Sequence, residues 1–146
     1  MNKKGFTLIE IIVVVAIIGI LALIVIVAVN KPQNAAADAS VKQNLIAIRK
    51  QSEIYYLTSG VYGDSSSSCV VGSESGMFAD TTIKSAMSEV GRNIGGSKIV
   101  TCHISSDGNN WAISVNALKS TGSTLCIDSS GILESDLSAG SDGTCE

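Results

Sequence analysis

Lys4-Gly5-Phe6-Thr7-Leu8-Ile9-Glu10 leads straight into Ile11–Val29, nineteen positions without one polar side chain. At about 1.5 Å rise per residue the run spans roughly 28 Å as a helix, close to the ~30 Å hydrocarbon core of a bilayer. A carboxylate, Glu10, stands at its entrance, and Lys3 and Lys4 precede it. A cleaved secretory signal has an apolar region of about 7–15 residues. Ala35-Ala36-Ala37 offers small residues for such a cut, but this run is longer and carries an acid at its head. A plain anchor explains the length and not the acid, because an ionised carboxylate at the edge of hydrocarbon costs a few kcal/mol unless it is paired. The third reading is an anchor that later becomes a packing helix, with Glu10 paired by a partner chain. Lys3 and Lys4 favour a cytoplasmic N-terminus, which places the rest of the chain outside the cytoplasm.

Beyond the apolar run roughly 115 residues remain, enough for one small domain. Aromatics make up 4% of the chain, so the core has to be built from Ile, Val, Leu and Ala. Net charge is −3 and no basic stripe exists, so nothing marks the chain for specific nucleic-acid binding. Cys69, Cys102, Cys126 and Cys145 all follow the apolar run, and none forms a C-x-x-C pair. Zinc sites need clustered thiolates or imidazoles, and His103 is the lone histidine. Two disulfides in an oxidising compartment are expected instead. Four cysteines allow three pairings; Cys69–Cys102 with Cys126–Cys145 is favoured, because each closes a moderate loop between sequential elements. Each would stabilise by about 3–4 kcal/mol in the chain-entropy model.

Downstream, Pro32 removes a backbone donor and disfavours helix at Lys31, so a kink or break is expected near residues 27–31. Gly19 is either a site of local melting or close packing, or a tolerated small residue. Helical periodicity resumes at Ala35 and runs to about Leu57, with Val41, Leu45, Ile48 and Tyr55 on one apolar face and Gly60 as a stop. Residues 60–78 read as loop. Asp80 to Val90 reads as a short helix, capped by Asp80 or Thr81 and ended by Gly91. Three strands follow, at 98–104, 111–118 and 124–128, with Asp107-Gly108-Asn109-Asn110 as a turn. Ile99, Thr101 and His103 share one strand face, opposite Val100, Cys102 and Ile104. On the next strand Trp111, Ile113, Val115 and Ala117 share a face. Residues 129–146 read as a small polar loop tied by Cys126–Cys145.

Lys4-Gly5-Phe6-Thr7-Leu8-Ile9-Glu10 ahead of a long apolar helix resembles the class III signal of type IV pilins and their relatives. The resemblance implies cleavage by prepilin peptidase after Gly5 and methylation of the new N-terminal Phe6. It also makes Glu10 the filament-assembly carboxylate, meeting the Phe6 amine of a neighbouring copy with Thr7 in hydrogen-bond reach. A heterologous contact that does not close generates a filament, and any other register leaves a charge unpaired in an apolar bundle.

The expectation is therefore an α+β, pilin-like chain. Residues 1–5 are a leader and 6–30 a transmembrane and polymerisation helix. Residues 31–146 are an extracytoplasmic head: helix 33–58, loop and short helix 60–95, three-stranded antiparallel meander 97–128, and disulfide-bounded loop 129–146. The implied partners are the cytoplasmic membrane before assembly, prepilin peptidase, the pilus assembly machinery, and copies of the chain itself in a surface filament serving adhesion, motility or DNA uptake. The alternatives are a pseudopilin of type II secretion and a membrane-anchored minor pilin or binding protein. No catalytic constellation is present: Cys102 beside His103 is expected to be oxidised, leaving no thiolate. No cofactor is expected. Asp128, Glu134, Asp136 and Asp142 crowd the C-terminal region, and the resemblance to type II pseudopilins makes calcium the alternative there. Without EF-hand spacing they read as solvated carboxylates in turns.

Overall fold

The computed structural model of the protein describes residues 5–70, 74–96, 100–116 and 118–146. Lys3, Lys4, Ile99 and Ala117, and the start of the strand expected at 98–104, lie outside the described residues. The chain divides into two compact units, Met1–Asn34 and Ala35–Glu146.

Helix α1 is Leu8–Ser59, with Pro32 inside it. The break expected before Pro32 is absent from the helical assignment. A proline deletes one donor from the helix, and the alanines on either side, Ala28 and Ala35 to Ala37, favour its continuation. In the first unit every residue from 5 to 25 is exposed. Fifteen large apolar side chains from Phe6 to Val25 are among them. At about 1.5–3 kcal/mol for each side chain removed from water, on the order of 20–40 kcal/mol of burial is left unmet by the chain itself. Lipid or protein has to cover this helix.

In the second unit the periodicity of α1 becomes a buried stripe. Asp38, Val41, Leu45, Ile48 and Ser52 are all buried, at steps of three and four that keep one helical face inward. A 3-10 turn, Gly76–Ala79, buries Met77 and Phe78. Helix α2, Thr81–Ile94, follows it, and its N-cap is Asp80, whose side chain accepts from the Thr82 and Ile83 amides at 2.9 and 3.1 Å. The expected stop at Gly91 is corrected: Gly91 is a buried position within the helix. The stop is Gly95, in the left-handed region at φ 101°, where a side chain would be strained.

Four strands form an antiparallel meander in the order β1-β2-β3-β4: Val100–Ile104, Trp111–Val115, Leu125–Asp128 and Leu133–Ser135. The three-stranded expectation is corrected by β4, within the segment read as loop. Register places Cys102 opposite Ile113, Ile113 opposite Ile127, and Ile127 opposite Leu133. Directly paired residues point to one face, so Val100, Cys102, Ile104, Trp111, Ile113, Val115, Leu125 and Ile127 share the core side. Those residues cluster with Val41, Leu45 and Ile48 of α1 and Ile83 and Val90 of α2.

The opposite side of the sheet is covered as well, because β2 and β3 are buried at every position. The cover is the C-terminal segment. Cys126, on that side, bonds to Cys145 with Cα atoms 5.9 Å apart. The segment folds back on itself through reciprocal Ser138–Glu146 amide bonds of 2.7 and 3.0 Å. Gly143 lies so close to β2 that a Cβ would stand 2.6 Å from the Asn110 carbonyl carbon. The head is thus layered: helices, sheet, C-terminal segment.

Candidate processing and assembly site

Helix α1 begins where its sequence supplies a cap. Thr7-Leu8-Ile9-Glu10 is a T-x-x-E capping box. The Thr7 amide donates to Glu10 Oε2 at 2.8 Å and the Thr7 hydroxyl donates to the same oxygen at 2.7 Å. The Glu10 amide in turn approaches Thr7 Oγ1 at 3.4 Å. The carboxylate at the mouth of the apolar run is therefore satisfied within its own chain by groups that the first helical turn leaves unpaired. The spacing was readable; the sequence reading placed Thr7 within reach of Glu10 but missed the reciprocity.

Gly5 and Phe6 lie before this cap and outside the helix, and both are exposed. A Cβ at Gly5 would meet nothing within 4 Å, so no crowding within the chain calls for glycine there. Phe6, Ile9, Glu10, Val13 and Val14 line an open groove of about 420 Å³. The structure thus brings Thr7 and Glu10 together and sets Phe6 beside them, with Gly5 and Phe6 exposed and outside the helix.

In the head, Cys69 bonds to Cys102 and Cys126 to Cys145. The first ties the loop after α1 to β1; the second ties the C-terminal segment to β3. Asp38 makes a different attachment. Its Oδ1 accepts from the Lys119 amide and its Oδ2 from the Ser120 amide, both at 2.8 Å, and from the Ser120 hydroxyl. Burial raises the Asp38 carboxyl. The Ser120 and Lys119 donors and the nearby Lys42 ammonium outweigh it and hold the group below its usual value. No local sequence signal announced this contact, whose partners are separated by 81 and 82 residues.

A second polar anchor closes the far end of the head. The Tyr62 hydroxyl donates to Glu53 Oε1 at 3.1 Å, and the Tyr62 ring meets Tyr56 at 4.7 Å and Trp111 at 6.4 Å. Burial, then the charge and hydrogen bond of Glu53, push the Tyr62 phenol up to about 12. Trp111 Nε1, buried beside it, has no partner within hydrogen-bond distance among the described residues. The turn at Asp107 is held by the Ser105 hydroxyl and by the Asn109 side chain and amide, which keep the Asp107 carboxyl near 2.

The C-terminal carboxylates do not converge. Asp128 Oδ1 accepts from the Ser130, Gly131 and Ile132 amides and the Ser130 hydroxyl, and Oδ2 from the Cys145 amide at 3.1 Å. Asp142 holds the Thr144 amide and hydroxyl. Glu134 and Asp136 are exposed. Among the described residues no group of three or more His, Cys, Asp or Glu side chains is placed to share an ion. His103 lies on the face of β1 opposite the core, across from Ala112.

Residues 1–26 match the model of the prokaryotic N-terminal methylation motif. This is the class III signal characteristic of type IV pilins and pseudopilins, which are structural precursors rather than enzymes. No curated protein and no solved structure matches the chain. The signal and the exposed apolar helix fit membrane anchoring, and α1 is long and apolar enough to cross a bilayer.

Proposed function

We propose that the chain is a pilin: cut after Gly5, anchored in the cytoplasmic membrane by residues 6–30, and then polymerised into a type IV pilus-like surface filament. The observation that carries this reading is the pairing of a self-capped carboxylate with an apolar helix that finds no cover in its own chain. Lipid covers the helix before assembly, and helices of other copies cover it afterwards. Cleavage removes Lys3 and Lys4 and creates an ammonium on Phe6, beside the groove that Glu10 lines. In the filament Glu10 keeps its Thr7 donors and accepts from the Phe6 ammonium of a neighbour as well. That pair sets the axial register, since a shifted register strands a charge in an apolar bundle.

The signal is common to pilins and pseudopilins, so a periplasmic pseudopilus of type II secretion is the second reading. Long fibres outside the cell favour the pilus; loss of secreted enzymes with no visible fibres favours the pseudopilus. Adhesion, motility and DNA uptake are roles of the assembled filament, with Cys69–Cys102 and Cys126–Cys145 holding a head that works outside the cytoplasm.

Two substitutions test the proposal. Gly5→Ser blocks the cut and leaves the precursor in the membrane; normal fibres from that variant would refute the processing step. Glu10→Ala is still cut and inserted but yields few fibres, and an unchanged fibre yield contradicts the register role.

A further inference from the structure

The two disulfides of the head stand in different surroundings. Cys126 is fully buried, and its partner Cys145 is half-buried. Cys69 and Cys102 are both half-buried, and Cys69 lines a cavity of about 210 Å³. The other walls are Glu74, Phe78 of the 3-10 turn, and Lys84, Met87 and Ser88 of α2. Phe78 and Met87 supply apolar surface, and Ser88 is exposed. Lys84 Nζ pairs with Glu74 at 3.3 Å and still keeps 45% of its side chain in solvent.

A disulfide opens when a thiolate attacks one sulfur and expels the other as a thiolate. The attacked end needs room for the incoming sulfur, and the leaving thiolate needs solvation. Cys69–Cys102 offers both. The cavity beside Cys69 has room for a small thiol, and the Lys84 ammonium on its wall attracts the anion, offset in part by Glu74. Cys102 is half-buried, so an expelled thiolate there reaches water. Cys126–Cys145 fails at one end or the other. Burial blocks attack on Cys126, and attack on Cys145 expels the Cys126 thiolate into a site closed to water, which disfavours the charged form. The segment that carries Cys69 also has attachments that survive opening. The Ser75 amide donates to the Ser68 carbonyl at 3.0 Å, and the Ser68 amide donates to Ser75 Oγ at 2.9 Å. The Met77 amide donates to the Tyr62 carbonyl at 2.7 Å.

We propose that Cys69 is a reversible modification site, at which a low-molecular-weight thiol enters the cavity, forms a mixed disulfide with Cys69 and releases Cys102 as a free thiol. The incoming thiol gives its proton to solvent. Its sulfur bonds to Cys69 as the Cys69–Cys102 bond breaks, and the Cys102 thiolate takes a proton from water. One disulfide replaces another, with no net oxidation or reduction. Attack by the Cys102 thiolate on the mixed disulfide reverses the step. The inference is independent of the filament reading.

The test incubates the full chain in detergent with L-cysteine at about pH 8, near the pKa of a free thiol. Free thiols are trapped with iodoacetamide, and the digest is mapped by mass spectrometry. The expected product carries cysteine on Cys69 and the alkyl group on Cys102. It forms on the order of tenfold faster than any product at Cys126 or Cys145. Ser88→Trp, which sets an indole on the cavity wall, slows formation of the Cys69 product by about fivefold or more and leaves the rate at Cys126–Cys145 unchanged. Ser88→Ala reacts at least as fast as wild type, and thermal melting checks that each variant is folded. Should Ser88→Trp not fold, the wild-type product pattern decides by itself. Cysteine on Cys102 in preference to Cys69, equal rates at the two disulfides, no reaction at either, or a folded Ser88→Trp chain that reacts like wild type overturns the assignment.

Discussion

Helix α1 carries aliphatic side chains in both of its halves, and only the second half hides them. From Val41 to Ser52 the inward positions are closed off from solvent by α2 and the sheet. From Phe6 to Val25 every aliphatic is exposed. The two carboxylates of interest on this helix show the same contrast. Glu10 is satisfied locally, by the residue three positions before it. Asp38 is satisfied by a loop more than eighty residues downstream. A group whose partners are local keeps them whatever surrounds the helix. A group whose partners are distant fixes the helix to one body. The first half carries its own cap, and the second is held to the head by its contacts.

That contrast can be broken by making the same deletion in both halves. Leu45→Ala lowers head stability by about 2–5 kcal/mol, through lost burial and the cavity left behind. Ile17→Ala leaves the thermal melting of the head unchanged and acts on membrane retention or fibre yield instead. Equal effects of the two on head melting would erase the distinction. Asp38→Ala comes next: it removes the buried carboxylate that accepts from the Lys119 and Ser120 amides and costs about 1–3 kcal/mol, read by thermal or urea unfolding. Gly143→Ala is expected to cost about 1–3 kcal/mol, because its φ is 79° and the new Cβ meets Asn110. Gly122→Ala, also at positive φ but in open space, costs about 1 kcal/mol.

The smallest effect sharpens the picture through pH. Asp38 and Asp107 have folded-state pKa values below those of the unfolded chain. Their stabilisation is present above about pH 4 and is lost as pH falls through the folded values, near 2 for Asp107. Tyr62 is shifted the other way, so its contribution holds below about pH 10 and is lost as pH rises through about 12. These three groups therefore contribute fully between about pH 4 and pH 10. Asp38→Ala shallows the acid limb and leaves the alkaline limb alone, as followed by unfolding at a series of pH values.

What could be read from the sequence was what repeats or sits close together. The α1 stripe was visible in the spacing of Val41, Leu45 and Ile48. The core face of the meander was visible in the alternation of Trp111, Ile113 and Val115. Strand β4 was not, because Leu133-Glu134-Ser135 offers three residues and one aliphatic, and it pairs only because β3 presents an edge. Gly91 looked like a helix end and is not one, since packing carries α2 on to Ile94. The buried outer face of β2 was hidden because its cover, the C-terminal segment, is polar in sequence and is held there by Cys126, Cys145 and Asp128. At the N-terminus the motif itself was legible, with Thr7 in hydrogen-bond reach of Glu10, while the reciprocal bond from the Glu10 amide back to Thr7 was not.

The most direct measurement is N-terminal sequencing of material sheared from the cell surface, with the same sample imaged for fibres. Fibres whose subunits begin at Phe6, carrying a methylated amine, are the predicted result. Fibres built from subunits that retain Met1–Gly5, or a chain that never leaves the membrane, would contradict the account.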